Sequence, residues 1–124
     1  MTHKILYVED DEDTRFLVKG LLESKGYEVN TAPNGAKGLQ KLGDNKFDLV
    51  LLDIMLPDTS GWDIFQKIRG NPDNKDVKVI FLSVIPVSDE RLETLKKSGV
   101  SDYIMKPFDN RDLIERIGKA LGKI

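Results

Sequence analysis

Five acids stand in a row from Glu9 to Asp13, directly after the apolar run Ile5, Leu6, Tyr7 and Val8. Adjacent like charges repel and raise one another's pKa, so such a row needs a reason. Asp11, Glu12, Asp13 and Thr14 have one, because acids and Thr at a helix start cap free N–H groups and complement the dipole. Glu9 and Asp10 sit nearer the apolar run and are left over. Three more polar residues close apolar runs: Asp53 after DLVLL, Ser83 after VIFL and Lys106 after DYIM. Taken singly, Asp53 reads as a cap before the turn MLPDTSG, Ser83 as structural and Lys106 as a surface lysine. Together they supply three carboxylates, a hydroxyl and an ammonium. Mg²⁺ prefers oxygen ligands and typically takes one or two carboxylates plus phosphate oxygens. A carboxylate such as Asp53 can itself be the nucleophile that takes a phosphoryl group. Transfer then needs mainly positioning and charge stabilisation, from the metal, Ser83 and Lys106.

These residues meet only if the elements carrying them point the same way. Apolar runs at Lys4–Val8, 27–31, 48–53, 77–82 and Asp102–Met105 read as strands. The run DLVLLD does not alternate, so it reads as covered on both faces. Helical patterns fill the gaps at 14–25, 34–43, 60–70, 88–98 and 109–121. In the first of these, Leu17, Val18, Leu21 and Leu22 share a face and Gly26 is the stop. NPDNKD at 71–76 reads as a loop. Trp62 reads as packing, and the lone His3 as a surface or edge residue. Five βα units imply an α/β fold, a parallel sheet with right-handed crossovers and helices on both faces. All the closing residues then fall on one edge, beyond the carboxyl ends of the strands, where such sheets bind ligands.

Length and composition bound the rest. The 124 residues fit a single domain, 1–124. There are no cysteines, which excludes disulfides, thiol catalysis and cysteine metal sites. The formal net charge of −2 gives no general attraction to nucleic acid. No apolar stretch is long enough to cross a bilayer, and the N-terminus lacks a signal-peptide shape. A cytoplasmic protein is the expectation, with no membrane partner.

The segments ILYVEDDEDTR, DLVLLDIMLPDTSGWDI, VIFLS and GVSDYIMKPF, in this order and spacing, resemble a response-regulator receiver domain of two-component signalling, the CheY-like fold. The resemblance covers nearly the whole chain. It implies a flavodoxin-like five-stranded sheet in the order 2-1-3-4-5. It implies that Asp53 is the phosphoacceptor and that Mg²⁺ is held by Asp10 directly, by Glu9 through water, by Asp53 and by the Met55 backbone carbonyl. Ser83 and Lys106 would bind the phosphoryl group, and the Lys106–Pro107 bond would be cis. Tyr103 matches the switch aromatic, whose ring turns inward when Ser83 moves. The phosphodonor would be a sensor histidine kinase or phosphotransfer protein. Output would pass to a downstream protein through the fourth helix, fifth strand and fifth helix, from a stand-alone monomer or a phosphorylation-dependent dimer, with no direct nucleic-acid contact. The protein would not be a conventional turnover enzyme.

Some residues depart from the family pattern. Glu9 stands where Asp is common, and Ser83 where Thr is commoner. Val84 replaces a small residue beside the phosphorylation site and could narrow access. The stretch from Ser83 to Lys106 is one residue longer than usual, and Ile85-Pro86 stiffens it. Met55 and Ile85 occupy the positions that, in the family, influence attack of water on phosphoaspartate. Both are apolar, so self-dephosphorylation is expected to take minutes or longer. A haloacid-dehalogenase-type phosphatase would need a second Asp where Met55 stands. A flavodoxin-like FMN carrier would need a Gly- and hydroxyl-rich loop where the acids stand. The runner-up is a phosphorylation-independent interaction module.

Overall fold

The computed structural model describes residues 2–123. The expected domain's end residues, Met1 and Ile124, lie outside the described residues. Five strands, β1 (Lys4–Val8), β2 (Glu28–Ala32), β3 (Leu49–Leu52), β4 (Lys78–Ser83) and β5 (Asp102–Met105), alternate with five helices, α1 (Glu12–Glu23), α2 (Gly35–Asp44), α3 (Gly61–Gly70), α4 (Asp89–Lys97) and α5 (Asn110–Ala120). All strands are parallel and lie in the order β2-β1-β3-β4-β5. This is the expected order, with its reversal between β1 and β3.

Alternation along the strands divides the core in two. Ile5, Tyr7, Leu49, Leu51, Ile80 and Leu82 meet Val18 and Leu22 of α1 and Leu113 and Ile117 of α5. Leu6, Val8, Val50, Leu52, Val79 and Phe81 meet Leu42 of α2, Ile64, Phe65 and Ile68 of α3 and Leu95 of α4. All four residues of β3 are buried, as its unbroken apolar run requires.

Each helix is started by a side chain that accepts from a backbone N–H: Asp11, Asn34, Ser60, Ser88 and Asp109. Asp11 takes the Thr14 N–H at 2.9 Å, with Glu12 and Asp13 in the first turn. Three of the five consecutive acids are thus consumed by helix initiation. Gly26, at φ 91°, ends α1 in a left-handed conformation that favours glycine.

Three expectations need correction. Helix α1 starts two residues earlier than its apolar periodicity alone suggested, because the cap at Asp11 sets the boundary. Leu17 does not share the buried face of α1; it is 60% exposed, beside Phe16 at 81%. Val18 and Leu22 alone complete that face, and Leu21 is half-buried. The stretch 71–76 contains a 3-10 turn, Pro72–Asn74, started by the Asn71 side chain.

Candidate functional site

The carboxyl ends of β1, β3, β4 and β5 meet at one edge, and backbone bonds fix the residues that follow them. Glu9 N–H donates to the Ala32 carbonyl at 3.0 Å, and Asp53 N–H to the Val8 carbonyl at 3.2 Å. Lys106 N–H donates to the Ser83 carbonyl at 2.9 Å. Each side chain therefore leaves a strand end whose direction the sheet has already set. Beyond Asp53 the chain folds back: Gly61 N–H donates to the Ile54 carbonyl at 2.7 Å. A Cβ on Gly61 would collide with the Asp53 carbonyl and come within 2.8 Å of Ile54 Cα, so only glycine permits this turn. Asp58, in the same turn, accepts from the N–H groups of Gly35 and Ala36, each at 2.9 Å. Those donors hold its carboxyl below the usual range.

Glu9, Asp10 and Asp53 converge so that one oxygen of each lies within 4.8 Å of the others. Glu9 and Asp53 are buried, whereas Asp10 is exposed. Lys106 reaches into the group, donating to Asp53 Oδ2 at 2.9 Å and to Glu9 Oε1. Met55 N–H donates to Asp53 Oδ1 at 3.1 Å. Burial pushes Glu9 up, and the hydrogen bond from Lys106 opposes it only in part. Burial works against the Lys106 ammonium, but bonds to Glu9 and Asp53 outweigh it and hold its pKa above the ordinary value. Lys106 is therefore charged at neutral pH.

The sheet thus brings together Glu9, Asp10, Asp53 and Lys106. Ser83 is fully buried at the end of β4, and its Oγ accepts from the Ile85 N–H at 3.3 Å. Tyr103 is buried against Phe81, with ring centroids 6.2 Å apart, and its hydroxyl donates to the Ile85 carbonyl. Burial raises the Tyr103 pKa. Two switch candidates therefore hold the same residue of the β4–α4 loop. Met55 and Val84 are both 59% exposed at the rim, whereas Ile85 turns back against the core. The Lys106–Pro107 bond is cis.

Two participants escaped the sequence reading. Arg15 Nη1 donates to the Glu9 carbonyl at 2.8 Å and to the Asp10 carbonyl at 3.4 Å, clamping the acidic loop from one turn into α1. Tyr7 is fully buried and donates its hydroxyl to Glu9 Oε1 at 3.1 Å. The signal for Tyr7 was available. A tyrosine within a buried aliphatic strand needs a partner for its hydroxyl, and Glu9, two residues on, shares its strand face.

Three carboxylates against one ammonium leave excess negative charge in a half-buried pocket. The donors are all oxygen, which suits a hard divalent cation such as Mg²⁺ and does not suit zinc or copper.

The family model described as "Response regulator receiver domain" matches residues 5–118. The transcriptional regulatory protein CusR of Escherichia coli is 38% identical over 119 residues, 95% of this chain and 51% of CusR. The chain spans about half the length of the curated relatives it matches. Among solved structures, the chemotaxis response regulator CheY4 of Vibrio cholerae superposes with a TM-score of 0.88 at 27% identity, covering 97% of this chain and 99% of that one. The response regulator TrrA of Thermotoga maritima, solved in complex with Mg²⁺ and BeF, is 34% identical with a TM-score of 0.81, covering 97% and 99%. The acid-lined edge, the sheet order and these matches agree, and the chain belongs to the response-regulator receiver domains of two-component signalling.

Proposed function

We propose that this domain is a phosphorylation-controlled switch whose phosphoacceptor is Asp53. The observation that carries the reading is the buried Asp53 carboxylate set between Lys106, Glu9 and Asp10 at a parallel-sheet edge. An Asp53 oxygen attacks the phosphorus of a phosphohistidine on a sensor histidine kinase or phosphotransfer protein. The P–N bond breaks, and its electron pair stays with the imidazole. A bound Mg²⁺ would neutralise the acids and the phosphoryl oxygens; Asp10, Asp53 and the Met55 carbonyl would hold it, with Glu9 acting through water. Lys106 follows the phosphoryl group, and the Ser83 hydroxyl leaves Ile85 to donate to it. That frees the β4–α4 loop and Tyr103, and changes the α4–β5–α5 face offered to a downstream protein. The domain is a signalling module, not a conventional turnover enzyme.

The exposed pair Phe16 and Leu17 lies on α1, which starts directly after the acids, and offers an apolar contact for the phosphodonor protein. Output passes through protein contacts of a monomer or of a phosphorylation-dependent dimer, and the net charge of −2 gives the domain no attraction to nucleic acid. The relatives are transcriptional regulatory proteins about twice as long, so the same switch also suits a receiver that controls an attached segment. No helix among the described residues is long and apolar enough to cross a membrane, which fits a cytoplasmic site of action.

The test is intact mass after incubation with acetyl phosphate. A single phosphoryl adduct is expected, requiring Mg²⁺ and lost in Asp53→Asn. Val84, β-branched and exposed directly after Ser83, supports a second reading, a phosphorylation-independent interaction module. An unlabelled wild type that Val84→Ala restores means blocked access. Silence in both favours the module.

A further inference from the structure

Tyr7 is not used by the transfer chemistry, yet its hydroxyl is spent on a metal-site acid. Glu9 Oε1 accepts from Tyr7 and from Lys106, and Glu9 Oε2 accepts from the Asp11 N–H at 3.2 Å. Both Glu9 oxygens are thus engaged by protein donors. Asp10, in contrast, is exposed, and its carboxylate has no hydrogen-bond donor among the described residues. Glutamate is one methylene longer than aspartate, so an unrestrained Glu9 could reach an ion directly.

We propose that Tyr7 is a positioning residue that sets cation selectivity, by holding the Glu9 carboxylate back so that the site offers few protein oxygens. This rests on the Mg²⁺ reading above. Mg²⁺ demands near-octahedral geometry and keeps several waters, so it tolerates a site with few carboxylates. Ca²⁺ takes about six to eight oxygens in flexible geometry, and gains more from an added carboxylate. A withheld Glu9 therefore disfavours Ca²⁺. The neighbouring groups restrain the same residue: Lys106 ties the same Glu9 oxygen to Asp53, and the Arg15 clamp on the Glu9 and Asp10 carbonyls fixes the loop.

Calorimetric titration with Mg²⁺ and with Ca²⁺ tests this on the wild type, Tyr7→Phe, Glu9→Asp and the double variant. Tyr7→Phe is expected to lower the ratio of the Ca²⁺ to the Mg²⁺ Kd by about tenfold, or ~1.4 kcal/mol. In the Glu9→Asp background, the shorter acid falls short of Tyr7, and Tyr7→Phe should leave the ratio unchanged. A Tyr7→Phe protein that melts earlier but keeps the wild-type ratio would overturn the proposal, because a packing role moves stability alone. An equal shift in both backgrounds would overturn it too. A wild type that binds neither ion would instead sink the Mg²⁺ reading on which it depends. Should Tyr7→Phe not fold, Tyr7→Leu removes the same hydroxyl among aliphatic neighbours and is judged by the same ratio.

Discussion

Lys106 bridges Glu9 and Asp53 with a side chain only 16% exposed, so its removal strands two largely buried carboxylates. Breaking a buried pair from one side typically costs about 3–5 kcal/mol. Lys106→Met should therefore lower the metal-free stability by roughly 3 kcal/mol in urea unfolding, and Mg²⁺ should restore part of the loss. The pKa of Lys106 is raised in the fold. Its contribution is thus complete below the unfolded value near about 10.4, and fades as pH rises through the folded one. The gap between wild type and Lys106→Met should persist at neutral pH, narrow in strong alkali as the ammonium loses its proton, and narrow in acid as Glu9, whose pKa burial raises, takes one up. At the rim, exposed Met55 offers no hydrogen bond that could orient water. The phosphorylated protein should decay over minutes or longer. Met55→Asn should speed the decay several-fold, as followed by intact mass. A wild-type lifetime of seconds would contradict the premise.

The turn between β3 and α3 is an element with two separate constraints. Gly61 lets it double back under Asp53, and Asp58 ties it to the first turn of α2. Gly61→Ala should cost about 1–3 kcal/mol, because the obstacle is backbone and cannot turn aside. Asp58→Ala removes an acceptor from two helix N–H groups, and its effect should depend on pH with a definite sign. The folded pKa of Asp58 is depressed, so its stabilisation is present above the unfolded value near about 3.9 and is lost as pH falls through the folded one. Thermal melting should show a deficit for Asp58→Ala at neutral pH, and the curves should converge in acid.

Across the whole molecule, a line of rings joins the switch candidate on β5 to α3 within the core on one face of the sheet. Trp62 lies 4.5 Å from Phe81, and Phe81 lies 6.2 Å from Tyr103. Arg91 of α4 stands over the Trp62 ring at 5.7 Å. Any displacement of Tyr103 or α4 therefore reaches the only tryptophan of the chain. Phosphorylation with acetyl phosphate and Mg²⁺ should change Trp62 emission, and Asp53→Asn should abolish the change. Unaltered emission in a fully labelled sample would mean that the β4–α4 loop stays put.

The gathering of Glu9, Asp10, Asp53 and Lys106 was legible because these residues close apolar runs, and alternating βα order sends every run's end to one edge. Two-sided burial of β3 was likewise written in DLVLL, which has no polar face to offer water. The sheet order was not in the periodicity: five similar strands can be arranged in several ways, and only the resemblance supplied the one observed. Leu17 shows the same limit on a helix, since its spacing suits the buried stripe but Val18 and Leu22 already fill the space. Tertiary structure alone decided that Lys106 crosses the chain to meet Glu9, that Arg15 grips the acidic loop, and that Ser83 and Tyr103 both hold Ile85. The physical reason is that a hydrogen bond depends on distance and direction between side chains, whereas spacing along the chain states only which face or edge a residue occupies.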